Sequence, residues 1–198
     1  MKKIIVFSLL LAGIIFSTCK KEEENNENGA GTLAAVGNNW NGVIGNEPIN
    51  VTIASNNGGI ASATIDIFGT QYTIKGKATT NEIADFVYSE GNESQPYTLV
   101  KFDANVGDEY VFTKGVMVVT RTVQEKNKEI YVDALCDTVP CFVVEEIIPE
   151  DLMLLGQPVV GSKIKYWINP TYGIVYAEVT PTWGAMQPAV LYSTNVGN

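Results

Sequence analysis

The chain has 198 residues, of which 45% are hydrophobic and 18% charged, with a net charge of −9 and no histidine. So acidic a surface repels phosphate backbones, which argues against a nucleic-acid partner. Without imidazole there is no Ser-His-Asp or Cys-His catalysis and no ordinary zinc or copper site, so no catalytic residue, metal or cofactor is expected.

Met1-Lys2-Lys3 opens the chain, followed by the apolar run from Ile4 to Phe16 and then Ser17-Thr18-Cys19. A basic start, an apolar run and a small-residue boundary are the parts of a secretory signal, and the run falls short of the ~20 residues a bilayer span needs. With cysteine at the boundary, Phe16-Ser17-Thr18-Cys19 resembles a bacterial lipoprotein signal. The resemblance implies cleavage after residue 18, lipidation of Cys19 and a stable membrane anchor made of several acyl chains. Loss of Lys2 and Lys3 with the signal takes the net charge to −11.

Residues 19–38 are rich in Glu, Asn and Gly and have no apolar period, the composition of a flexible tether. Lys21-Glu22-Glu23, close behind Cys19, resembles the export signal of surface lipoproteins in the Bacteroidota. It implies an outer-membrane protein exposed at the cell surface, with the periplasmic face as the alternative.

Residues 39–198 read as one domain of short strands. Val51–Ala54 comes first, then the turn Asn56-Asn57-Gly58-Gly59 and an alternating run from Ile60 to Phe68. A break at Gly69-Thr70 leads to Gln71–Lys77, which marks a hairpin. Further strands are expected at Ile83–Ser89, Tyr97–Phe102, Glu109–Thr113, Val116–Val123, Glu129–Leu135, Phe142–Ile148, Ser162–Ile168, Gly173–Val179 and Val190–Ser193. Proline and acids at the start of Pro149–Gly156, with glycine at its end, suggest a helix of one or two turns. The expected fold is all-β: a single antiparallel curved sheet, half-barrel or barrel, with one short helix, or alternatively a β-sandwich.

With Cys19 lipidated, Cys136 and Cys141 remain. A C-x4-C pair in an exported protein is expected to close a short loop as a disulfide, two free buried thiols being the alternative. Asp137-Thr138-Val139 lies between them and resembles the short O-glycosylation sequon of the Bacteroidota, which implies a sugar on Thr138.

Tyr166–Glu178, YWINPTYGIVYAE, resembles the late strands of LolA-like and TapB2-like curved-sheet domains. That resemblance implies a concave face holding a hydrophobic small molecule. The Leu152–Leu155 run is expected to cover the open end of a sheet; in the alternative Leu152, Leu154 and Leu155 would form a lid over that face, with Trp167 and Tyr172 beside the ligand. The second reading is a glycan-binding accessory lipoprotein, which expects two or more of Trp40, Trp167 and Trp183 exposed and coplanar.

Acidic residues offer less. Asp103, Asn105 and Asp108 lack the glycine and glutamate of a calcium loop and read as a turn in which Asn105 and Gly107 take unusual backbone angles. Glu145 and Glu146, adjacent on a strand, point to opposite faces and cannot act as a facing pair. Both are expected at a solvated edge.

Overall fold

A computed structural model describes residues 33–67, 69–148, 153–154, 157–158, 163–180 and 186–196. In chain order the strands are β1 (Asn39–Ile44), β2 (Glu47–Asn57), β3 (Ile60–Ile67), β4 (Thr70–Ala78), β5 (Glu82–Asp85), β6 (Tyr97–Lys101) and β7 (Glu109–Lys114). They continue with β8 (Met117–Val132), β9 (Asp137–Ile147), β10 (Met153–Leu154), β11 (Gln157–Pro158), β12 (Lys163–Asn169), β13 (Gly173–Thr180) and β14 (Gln187–Thr194).

Twelve of these strands form one antiparallel sheet in the order β6-β5-β4-β3-β2-β1-β14-β13-β12-β9-β8-β7. The sheet curls until its two ends, β6 and β7, nearly meet. The fold is therefore an almost closed barrel and not a sandwich.

Period-2 patterning sets the faces. Ile49, Val51 and Ile53 of β2, Val119 and Val123 of β8, and Ile164, Tyr166 and Ile168 of β12 are all buried, with more polar or exposed residues between them. Fully burying a Val or Ile side chain stabilises by about 1.5–3 kcal/mol, so this interior is the main source of stability. Gly58 and Gly59 both adopt left-handed angles, which the tight β2–β3 connection requires.

Both ends of the barrel are plugged. Leu33 and Ala34, ahead of β1, are buried in the core, and their carbonyls accept hydrogen bonds from Asn38 Nδ2 (3.3 Å) and Asn56 Nδ2 (2.8 Å). Leu33 and Ala34 thus pack into the core although they lie within the stretch expected to be tether. At the other end the loop after β5 turns Phe86, Val87 and Tyr88 inward.

Several expectations are corrected. Cys141 is a free, buried thiol, so the Cys136–Cys141 disulfide does not form. The chain turns before the expected loop between Cys136 and Cys141, through a 3-10 turn at Asp133–Leu135 capped by Cys136 in a left-handed conformation (φ 48°). Cys141 lies inside β9, five residues on. Five strand residues span roughly 16 Å and reverse the side-chain face, far beyond the reach of a disulfide.

The short helix expected over Pro149–Gly156 is not seen where the segment is described. Met153 and Leu154 are extended and pair with Pro158 and Gln157. A one-turn helix closes very few backbone bonds, whereas this hairpin supplies cross-strand partners. Val116–Val123 and Glu129–Leu135 are not two strands. Most of both belongs to the single long β8, which bends where its register with β9 shifts between Val123 and Lys128. β1, not expected, pairs with both β2 and β14.

Candidate functional site

The strongest concentration of chemistry is a buried charge cluster at the β6–β7 seam, built on the chain's single arginine. Arg121 has the inward parity of Val119 and Val123 on β8, and across the ladder its partner on β9 is Glu146. Arg121 Nε donates to Glu146 Oε2, and Nη2 lies 2.7 Å from Asp85 Oδ2 on β5. Nη1 donates to the carbonyls of Tyr97 (3.2 Å) and Thr98 (3.3 Å) on β6. Glu146 also accepts from the hydroxyls of Tyr88 and, at 3.5 Å, Tyr166. Asp85 Oδ1 accepts the Val87 N–H at 3.0 Å, which fixes the start of the following loop.

Rings enclose the guanidinium. Its Cζ sits 3.9 Å from the Tyr97 ring centroid, and Tyr88, Tyr97 and Phe112 pack against one another at 5.5–6.0 Å. Burial opposes the charge on Arg121, but Asp85 and Glu146 outweigh it and leave the pKa well above its ordinary value. Burial, reinforced by Glu146, likewise pushes the Tyr88 phenol up, so its proton stays on oxygen and is donated to the carboxylate.

Side chains also join the sheet ends where no backbone ladder does. Tyr97 Oη donates to the Tyr110 carbonyl (3.3 Å), and the Lys101 N–H donates to Tyr110 Oη (3.1 Å). Arg121, Asp85 and Glu146 are all fully or nearly fully buried. What the arrangement does chemically is hold two strand edges together, as a clasp that faces protein on every side.

The residues singled out from sequence do not converge on one pocket. Trp167 is half-buried on the outer face of β12, and Tyr172 is half-buried in the β12–β13 turn, where its carbonyl accepts from Trp40 Nε1 at 3.4 Å. Leu154 lies in the small β10–β11 hairpin, while Leu152, Leu155, Trp183 and Cys19 fall outside the described residues. Trp40 is buried, so it offers no stacking surface. Thr138 is exposed at the start of β9. An apolar cavity of about 40 Å³ lies beneath Leu33, lined also by Trp40, Val51, Ile53, Ile83 and Gly173. That is close to the ~30 Å³ share of one water molecule, against the roughly 300–1,000 Å³ of pockets that hold drug-sized ligands.

The DANVGDE segment is a turn: Asn105 N–H donates to Asp108 Oδ2 (2.9 Å) and Gly107 is left-handed, whereas Asn105 is not. Glu145 and Glu146 do face opposite ways, Glu145 outward toward Lys163 (3.3 Å). Glu146, however, is not at a solvated edge but wholly buried. The missed signal was parity: the one arginine stands at an inward position of the most β-branched run, and Glu146 shares the inward parity of Val144 and Ile148.

No protein-family model matches the chain, and no curated protein sequence matches it. The fold is similar to that of a Bacteroides fragilis protein described as exported with a YmcC-like fold, at 10% identity and a TM-score of 0.53, over 93% of this chain and all of that one. A Parabacteroides distasonis protein described as a lipoprotein aligns at 12% identity and a TM-score of 0.45, over 86% of this chain and all of that one. The first of these similarities extends to the fold and, at such identity, no further.

Proposed function

We propose that the protein is a lipid-anchored envelope protein, displayed on the outer membrane, whose barrel is a non-enzymatic scaffold for binding. The observation that carries this reading is the Phe16–Cys19 signal placed ahead of a β-domain. The 13 residues between Cys19 and Leu33 can span at most about 47 Å at ~3.6 Å per residue. The small cavity beneath Leu33 favours a ligand held on the barrel's exterior over an apolar molecule held within it. Of the two readings from sequence, recognition of a glycan is kept, resting on Trp167 alone among the described tryptophans because Trp40 is buried.

Metabolic labelling with a palmitate analogue tests the anchor. Wild type is expected to incorporate label and Cys19→Ala to lose it; equal labelling of both overturns the anchor. Proteinase K added to intact cells is expected to digest the protein, and full protection moves it to the periplasmic face. Thr138, exposed and beside Asp137, is a proposed O-glycan acceptor. Intact mass is expected to fall by the glycan in Thr138→Ala, and an unmodified wild-type mass ends that proposal.

A further inference from the structure

The strand registers place six side chains in one lateral row on the outer face. Val143 of β9 is opposite Trp167 of β12, which is opposite Tyr176 of β13. Tyr176 pairs with Val190 of β14, Val190 with Val43 of β1, and Val43 with Pro48 of β2. All six have outward parity, but Val143 is buried, so the accessible row consists of the other five and runs about 19 Å across the barrel with strands ~4.8 Å apart. The rings of Trp167 and Tyr176 meet edge-to-face at 4.8 Å at one end of it.

Polar rows border this stripe, two residues along the strands and so about 7 Å away. One side carries uncharged groups in register, Ser193, Asn41 and Asn50, with Thr52 beyond. Asn50 Nδ2 donates to Asn41 Oδ1, Asn41 Nδ2 to Ser193 Oγ (2.9 Å) and Thr52 Oγ1 to Asn50 Oδ1 (3.3 Å). This chain of bonds locks the amides in place. Each keeps one N–H and one lone pair for an outside partner. The other side carries Glu145, Lys165 and Glu178, with Tyr176 Oη donating to Glu178 Oε1 at 3.3 Å.

We propose that this face binds a linear, neutral glycan laid along the row. An acyl chain would leave both polar borders unused, and a charged polymer would find no one-signed edge. A sugar chain has apolar C–H faces and hydroxyl edges, which match a ring-bearing stripe set between oriented amides and carboxylates. The proposal names the site and ligand class for the scaffold reading above. Its test does not depend on lipidation or location.

Full-length protein carrying Cys19→Ala is run in affinity electrophoresis through gels containing dextran, mannan, xyloglucan or galactomannan. At least one polymer is expected to retard it. Trp167→Ala and, independently, Asn50→Ala are expected to weaken the retardation at least tenfold, with circular dichroism unchanged. Asn50 lies on the surface, so its variant remains informative if Trp167→Ala misfolds. Retardation by none of the polymers overturns the proposal, as does retardation that Asn50→Ala leaves intact. Self-association that Trp167→Ala abolishes also overturns it, in favour of a second copy on this face.

Discussion

Arg121 and Asp85, whose Nη2 and Oδ2 atoms lie 2.7 Å apart, each stand one strand in from opposite ends of the twelve-strand order. Their ion pair therefore spans the seam and not a ladder. Arg121→Met leaves Asp85 and Glu146 buried without their cation, and is expected to cost about 3–5 kcal/mol in denaturant unfolding. Adding Asp85→Asn and Glu146→Gln to Arg121→Met should restore part of that loss, because the penalty comes from unmatched charge. A triple variant no more stable than Arg121→Met would show that packing, and not charge, dominates the clasp.

Tyr110 occupies backbone positions at both sheet edges, accepting from the Lys101 N–H and offering its carbonyl to Tyr97. Tyr110→Phe keeps the ring and removes the acceptor for Lys101. A loss of about 1 kcal/mol is expected, with faster amide exchange at Lys101 while the β12–β13 amides stay protected. Unchanged exchange at Lys101 would rule out the seam bond as its protection.

Cys141 provides a test with a defined sign. Burial pushes its thiol from 9.0 up to about 12, so the folded state holds a proton that the unfolded state releases earlier. That contribution to stability is complete below about pH 9 and is lost as pH rises toward about 12. Between pH 8 and 10, alkylation mapped to the Cys141 peptide should be slow in the native protein and rapid in denaturant. Fast native labelling in that range would contradict the buried site.

Leu33 plugs the barrel beside Gly173, with its methyl groups 3.7–3.8 Å from where a β-carbon on Gly173 would stand. Leu33→Ala would enlarge the small cavity beneath it and is expected to cost about 2–5 kcal/mol. Calorimetry that finds no change would return Leu33 to the tether.

Much of the sheet was legible in advance because alternation is a local property. Ile60–Ile67 and Gly173–Thr180 appear nearly as their patterns require, and Gly58-Gly59 turns where glycine is needed. What stayed hidden depends on distant partners. β1 is a strand because β2 and β14 lie on either side of it, and the Leu152–Leu155 run contributes strand at Leu154 because Gln157 is there to pair. The clasp was hidden in part for the same reason: parity turns Arg121 and Glu146 inward on neighbouring strands, but only the curl of the sheet brings Asp85 of β5 to them. The outer row could not be read either, since no pattern along the chain gives the register of six strands.

The pairing of β1 with β14 has a consequence for how the protein is made. If the two ends were joined and the chain cut in the β6–β7 loop, the strands would run in simple neighbour-to-neighbour order. In the natural order, the first strand waits for the last before the sheet becomes continuous. A chain made from its amino end therefore cannot complete the barrel until β14 has been added. Such long-range closure slows folding. A permutant opened at the β6–β7 loop should fold faster, and equal refolding rates in stopped-flow would rule out the late pairing as the slow step.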